Sequence, residues 1–472
     1  MASEWKTMKL ADFASHQKGF AFKSKDYIED GIAVVRVSNL TSDSIDILDL
    51  KYVSDEVASN KSNFKLFYND VVIATVGSWP KNPASVVGKV IKVPKKCDNF
   101  LLNQNSVRFR VKSNNSNDQL FLYYLLKSKV FSDYIISTAQ GSANQASITL
   151  KDIYAFEFNC PSSFERKQIA QILSLLDGKS EVNQQTNQTL EQMAQALFKS
   201  WFVDFDPVFD NALAAGTAID DFPAALQSKA AQRALLQQNK PRPKALPQEN
   251  RKLFPSEFEQ SNHPSIGIFG WIPKGWQVTS FESIIKLIGG GTPKTTKEEY
   301  WNGDIPWFSV VDSPVDSNVF VINTEKHVTQ LGVDKSSTKI LRIGTTIISA
   351  RGTVGKCALV ADIMAMNQSC YGINGIEGIS DEFIYFMTRY QVSDLQKRGH
   401  GSIFNTITRE TFKSIFLPFS GGAVTQKFSE VVTSFLNKIL SNNKQSAELA
   451  KTRDVLLPKL ISGELSFSPK KT

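Results

Sequence analysis

Residues 171–205 read QILSLLDGKSEVNQQTNQTLEQMAQALFKSWFVDF. With Ile169 just ahead, Ile172, Leu173, Leu176, Leu190, Ala194, Leu197 and Trp201 recur at the three- and four-residue spacing of one α-helical face. Between the two apolar blocks, residues 177–189 are polar and rich in Gln and Asn. The arrangement returns near the C-terminus: Phe428, Val431, Val432, Phe435 and Ile439, a polar middle at 442–446, then Leu449, Leu456 and Leu460. The spacing predicts two long helices, over 164–205 and 425–457, about 63 and 50 Å long at ~1.5 Å per residue. Pro207 and Pro458 are expected to stop them.

Around these helices the chain is written twice. Trp5 opens WKTMKLADF, and 271 residues later Trp276 opens WQVTSFESI. VVIATVGSWPKNPASVVGKV is answered by TIISARGTVGKCALV, with Gly77 matching Gly352. LNQNSVRFR from Leu102 is answered by MNQSCYGIN from Met366, LFLYYLL from Leu120 by EFIYFMT from Glu382, and QGSANQASITLKDI from Gln140 by HGSIFNTITRETF from His400. Echoes that keep their order along the chain identify a tandem duplication. Within each copy, short runs such as GIAVVRVSNL, SVRFRV and GTTIISA read as strands, and QLFLYYLLKS and DEFIYFMTRYQ as helices. The fold class is α+β: two homologous mixed modules, 1–163 and 276–422, with spacer helices at 164–206 and 423–472. If the helices pair antiparallel they form a coiled-coil spacer with pseudo-twofold symmetry. A connector at 207–275 holds eight of the 18 prolines, including KPRPKALP at 240–247, and is expected to be only partly ordered, with one short helix over 224–238.

The chain has 472 residues, 42% hydrophobic and 21% charged, which excludes a disordered tail, a collagen-like fibre and a coiled-coil rod. It lacks an apolar run near the ~18 residues of a membrane helix, and residues 1–10 do not read as a secretion signal, so a cytoplasmic protein is expected. The net charge of +8 is spread thinly: Lys/Arg against Asp/Glu is 20 to 16 in 1–163, 12 to 12 in 164–275, 14 to 14 in 276–422 and 8 to 4 in 423–472. Charge by itself does not diagnose a nucleic-acid binder. Cys97, Cys160, Cys357 and Cys370 are scattered, as reduced core residues are.

Catalytic patterns fail on inspection. Gly289-Gly290-Gly291-Thr292 has no G-K-[ST] after it, and Asp206-Pro207-Val208-Phe209 lacks the second proline of an adenine-gripping methyltransferase motif. Glu165-Arg166-Lys167 lacks the upstream Pro-Asp of a nuclease, and the four histidines have no metal-ligand spacing. No catalytic residue and no metal site is expected. A duplicated chain without chemistry reads as a recognition or assembly device; on residues alone, a two-headed adaptor for nucleic acid or for protein remains open.

The string from Gln171 through NALAAG resembles the central helix of specificity subunits of type I restriction–modification systems. GGGTPKTTKEEYWNGDIPWFS from Gly289 is similar to the start of one of their target-recognition domains, and RDVLLPKLISGEL from Arg453 to the end of their second helix. GFAFKSKDY from Gly19 and GWIPKGW from Gly270 extend the resemblance over essentially the whole chain. A P-P-L-x-E-Q run usual before each helix is altered here to Pro161-Ser162-Ser163-Phe164-Glu165-Arg166. The resemblance implies a non-catalytic subunit whose two modules each read half of a bipartite, non-palindromic duplex DNA target. It implies as partners two adenine-N6 methyltransferase subunits, which bind S-adenosylmethionine, and nuclease/translocase subunits, which use ATP and Mg.

Base edges are read by Asn and Gln at adenine and by Arg and Lys at guanine. The loop candidates are Lys18, Lys81, Asn82, Gln140, Asn144 and Gln145 in the first module, and Lys294, Lys297, Arg351, Lys356, His400, Ser402 and Asn405 in the second. Asn103-Gln104 and Asn367-Gln368 recur in both copies and are expected to be architectural. Leu197, Trp201 and Phe202, bulky for a helix end, are the candidates for contact with the methyltransferase.

Overall fold

A computed structural model describes residues 5–41, 43–79, 87–142, 145–238, 248–314, 318–399 and 406–467. They form two compact units, one of residues 1–180 with 447–472 and the other of 181–446. In the first, strand Lys6–Lys9 pairs antiparallel with Glu157–Cys160, so the two ends of the module close on each other. A four-stranded antiparallel sheet follows in the order Ala14–Lys18, Ser106–Val111, Val71–Ala74, Val90–Lys92. The two-residue period of a strand turns Val107, Phe109 and Val111 inward, where helix Ser116–Lys127 covers them with Phe121, Leu122 and Leu125. A second sheet carries a parallel pair, Ile32–Val35 beside Leu101–Leu102.

The second unit repeats this plan. Gln277–Ser280 pairs antiparallel with Phe416–Phe419. Its main sheet runs Ile285–Gly289, Cys370–Gly375, Thr346–Ser349, Cys357–Val360 in the same order, with Phe320–Val321 added at the edge. Trp301–Phe308 lies parallel to Ala365–Met366, as its counterpart does in the first unit. The backbone at the shared Asn residues is a close-packing point in both copies. Gly19 and Gly290, 271 residues apart, each press so closely on the backbone of Asn103 and Asn367 that a Cβ would overlap those carbonyl oxygens. Gly290 and Gly291 thus serve chain packing, Gly291 lying equally tight against the backbone of Thr338, whereas a Cβ on Gly289 would meet nothing within 4 Å.

The long helices are Ser163–Phe202 and Gly422–Ser462. Neither proline acts as expected. The first helix breaks at Phe205, which takes a left-handed conformation (φ +51°) held by full burial, and Pro207 sits in the first turn of a new helix, Asp206–Ala214. Pro458 lies inside the second helix, which runs on because Leu457 and Leu460 are buried in the first unit's core with Ile169, Ala170 and Leu173. The last turn of the first helix is likewise buried in the second unit's core through Phe198, Trp201 and Phe202. The ends of the two helices are therefore built into the units' cores. Of the connector, residues 207–238 and 248–275 are described, and they include the expected helix. Helix Ala224–Gln238 packs Leu226 and Ala230 on Phe209 and Phe222, and Arg233 pairs with Asp210 at 2.6 Å. Among the described residues no helix is long and apolar enough to cross a membrane.

Within the second unit the helix segments run antiparallel: Asn183 meets Gln445 and Ser446, while Trp201 meets Phe428. Most of the polar middle faces outward there, but three asparagines turn into the seam. Asn183 donates to Gln445 Oε1 at 2.9 Å, Asn187 to Asn443 Oδ1 at 2.6 Å, and Asn442 to Asn187 Oδ1 at 2.8 Å. Asn183, Asn187 and Asn442 are each at most 2% exposed, so a helix shifted by one turn would bury these amides without partners. In the first unit Asp177 has the matching role, accepting from Tyr124 Oη at 2.8 Å and from Arg453 at 3.0 Å.

Asn187→Ala is expected to cost about 1–3 kcal/mol, because it leaves two amides unpaired in the seam. The double change Asn187→Leu with Asn442→Leu is expected to be far milder. Chemical denaturation of the full chain measures both, and a double variant less stable than the single one would contradict this reading.

Candidate nucleic-acid interface

In the first unit strand Gln140–Ser142 pairs with Gln145–Ser147, and the latter pairs with Val76–Gly77. Alternation again sorts the side chains: Ala146 and Ile148 are buried, and Gln145 and Ser147 are exposed beside exposed Gln140 and Ser142. Two further bonds tie this edge down, from Ile148 N to Thr75 O at 3.0 Å and from Trp79 Nε1 to Ser142 O at 2.7 Å. The edge therefore presents amides and hydroxyls in a fixed register. Lys18 is exposed at the end of its strand, opposite Val107. Lys81, Asn82 and Asn144 lie outside the described residues.

In the second unit the turn between Thr346–Ser349 and Cys357–Val360 carries Arg351 and Lys356, both exposed. It is shaped by a fully buried hydroxyl. Ser349 Oγ donates to Thr353 O at 2.5 Å and accepts from Lys356 N at 2.8 Å. Gly352 and Gly355 supply the left-handed conformations the turn requires, φ +72° and +92°. Ile407 N donates to Ala350 O at 3.0 Å, repeating the bond from Ile148 to Thr75. Lys294 and Lys297 are exposed on a separate loop, where Trp301 Nε1 holds Lys294 O at 3.2 Å and Lys297 lies 3.7 Å from Glu299. Among the described residues no hydrogen bond or ion pair joins that loop to the Arg351 turn. His400, Ser402 and Asn405 lie outside the described residues.

The helix-end candidates need correction. Trp201 is 1% and Phe202 3% exposed, packed on Phe254, Phe383 and Phe428, and half-buried Leu197 borders the same core. Bulky aromatics at a helix end here fill the module's own core, leaving no face for a partner. The apolar side chains the long helix does expose are Phe164 and Leu175 in the first unit, and Val182 and Met193 in the second. Each pair is eleven residues, about three turns, apart and so shares a face. That spacing is readable in the sequence, but the stronger core stripe masks it.

Burial raises the Cys97 thiol to about 11 and those of Cys357 and Cys370 to about 12, so all three stay protonated at neutral pH. Among the described residues no group of three His, Cys, Asp or Glu could hold a metal ion.

Comparison with known proteins adds the following. The family described as "Type I restriction modification DNA specificity domain" matches residues 2–192 and 273–451. The chain is 30% identical over 394 residues to the type I restriction enzyme HindI specificity subunit of Haemophilus influenzae, covering 80% of this chain and 84% of that one. It is 20% identical to the putative MjaX specificity subunit of Methanocaldococcus jannaschii over 98% of this chain and 94% of that one. The crystal structure of a type I restriction–modification S subunit from M. genitalium shares the fold, with a TM-score of 0.50 at 16% identity over 99% of this chain and 97% of that one.

Trp201→Asp places a charge in the aromatic core and is expected to unfold the second unit. Hydrogen exchange on the full chain should lose the slow amides of 276–440 while those of the first unit persist. Retained protection throughout would return Trp201 to the surface.

Proposed function

The chain belongs to the specificity subunits of type I restriction–modification systems, and we propose that it reads DNA with the two edges described above. It is the sequence-recognition subunit, each module taking one half of a bipartite, asymmetric target. One observation carries the residue-level reading: a single scaffold, down to strand order and the bonds of Ile148 and Ile407, carries different side chains at the same place in its two copies. Val76 and Gly77 follow Thr75 in the first unit where Arg351 and Gly352 follow Ala350 in the second, so one place carries valine in one copy and arginine in the other; Gln140 and Gln145 lie on the strand pair beside Val76, whose second-unit counterpart lies outside the described residues. A shared frame with divergent tips is what two different half-sites require. In the first unit the amides would pair with adenine edges, and in the second Arg351 would fork onto guanine, each good bidentate contact giving about 1–3 kcal/mol of discrimination. Lys18, Lys294 and Lys297 suit phosphate contacts, which add affinity without sequence information.

The chain's partners on this reading are two copies of an adenine-N6 methyltransferase subunit and, for restriction, nuclease/translocase subunits, working in the cytoplasm. S-adenosylmethionine belongs to the methyltransferase, ATP and Mg to the nuclease. This chain contributes no bond-breaking step; it holds the target in place while the partner methylates it. The exposed faces at Phe164 with Leu175 and at Val182 with Met193 suit an amphipathic helix of the methyltransferase, and they replace Leu197, Trp201 and Phe202 in that role.

Arg351→Ala with Lys356→Ala is expected to relax one half of the methylated sequence and leave the other half unchanged, as read by methylome sequencing. An unchanged motif at unchanged efficiency would remove both residues from the reading. Val182→Asp with Met193→Asp is expected to lower co-purification of the methyltransferase without changing the chain's thermal midpoint, and an undiminished complex would displace the docking face.

A further inference from the structure

We infer that Gln396 is a positioning residue for sequence reading: it fixes the turn that carries Arg351 and Lys356 before DNA arrives. The inference rests on the reading role proposed for that turn. Gln396 lies on helix Asp381–Gly399, which packs beneath the turn, and its Nε2 donates to Val354 O at 2.9 Å. The fit around that bond is close. A Cβ on Gly355 would lie 2.8 Å from both Gln396 Nε2 and Val392 Cγ1, so the turn's glycine is pressed onto the helix surface at this point. From inside, buried Ser349 ties Thr353 O and Lys356 N. From outside, Gln396 ties Val354 O, the carbonyl between them.

Held on both sides, the turn has its outer residues, Arg351 and Gly352, directed away from the module, and a Cβ on Gly352 would meet nothing within 4 Å. A seven-residue turn with two left-handed glycines is otherwise among the most mobile kinds of chain. Ordering it at the moment of binding would subtract from every contact Arg351 makes, whereas a turn already ordered keeps that energy for discriminating between bases. The helix bearing Gln396 also bears Arg389, which pairs with Glu191 of the first long helix two turns away. The platform under the turn is therefore itself anchored to the second unit's core.

The test uses the full chain with its methyltransferase, and Gln396→Met, which keeps the stem and bulk but has no donor; Gln396→Ala serves as a second variant. The half-site read by this unit is first identified with Arg351→Ala/Lys356→Ala. The expected result for Gln396→Met is about tenfold weaker discrimination at positions of that half-site alone, an unchanged opposite half-site, and an unchanged thermal midpoint. Adding Gln396→Met to Arg351→Ala/Lys356→Ala should produce no further relaxation. Gln396→Met with the native motif, or a lower midpoint with the motif intact, overturns the positioning role. If the arginine–lysine variant alters neither half-site, the reading role of the turn fails instead, which separates the two claims.

Discussion

A forty-residue helix with a polar, Asn- and Gln-rich middle gains little from burying that middle, and helix propensity alone does not stabilise it. What holds it is burial at its end. Phe198, Trp201 and Phe202 enter the aromatic core of the second unit beside Phe383, Phe386 and Phe428, and Leu457 and Leu460 of the other long helix enter the core of the first. Side chains of this size contribute roughly 1.5–3 kcal/mol each when buried. Each module is therefore completed by residues that come from far away in the chain. The buried asparagines then set register: hydrophobic contact alone tolerates sliding, and the Asn183, Asn187 and Asn442 amides do not.

On that frame the division of labour between shared and unshared residues becomes clear. Positions that repeat between the copies build the scaffold. Gly19 with Asn103 and Gly290 with Asn367 allow two backbones to touch, and the closing strand pairs begin just after Trp5 and Trp276. Those tryptophans sit at helix junctions, half-buried Trp5 bonded to Glu165 and close to Gly463, and buried Trp276 among Phe202, Phe205 and Phe254. At the tip of the second unit's turn the backbone is held by local bonds while the side chain of Arg351 stands exposed, where the first copy has Val76. A protein that must read two unlike sequences with one fold has to separate the two tasks in this way.

Much of this was legible in the sequence because duplication is a signal that needs no geometry, and because 3.6-residue periodicity over forty residues is unambiguous. The connector helix over 224–238 was legible from its Ala- and Gln-rich composition. The destination of Trp201 was not, since an apolar helix end looks the same whether it meets a core or a partner. Pro458 misled because a proline's cost within a helix is local, while the compensation, Leu457 and Leu460 in a distant core, is tertiary. The edges proposed to read DNA were legible only as polar loops. Which of their residues share an edge, as Gln140 and Gln145 do, and which lie apart, as Lys294 and Arg351 do, depends on strand pairing that has no local signature.

The central claim is that this chain selects a bipartite DNA sequence for methylation. Methylated-adenine sequencing of host DNA with the gene present and with it deleted tests that most directly. The account predicts a motif of two short specified halves separated by an unread gap, present with the gene and absent without it. A methylation pattern unaltered by the deletion, or a gene-dependent motif that is continuous and palindromic, would contradict it.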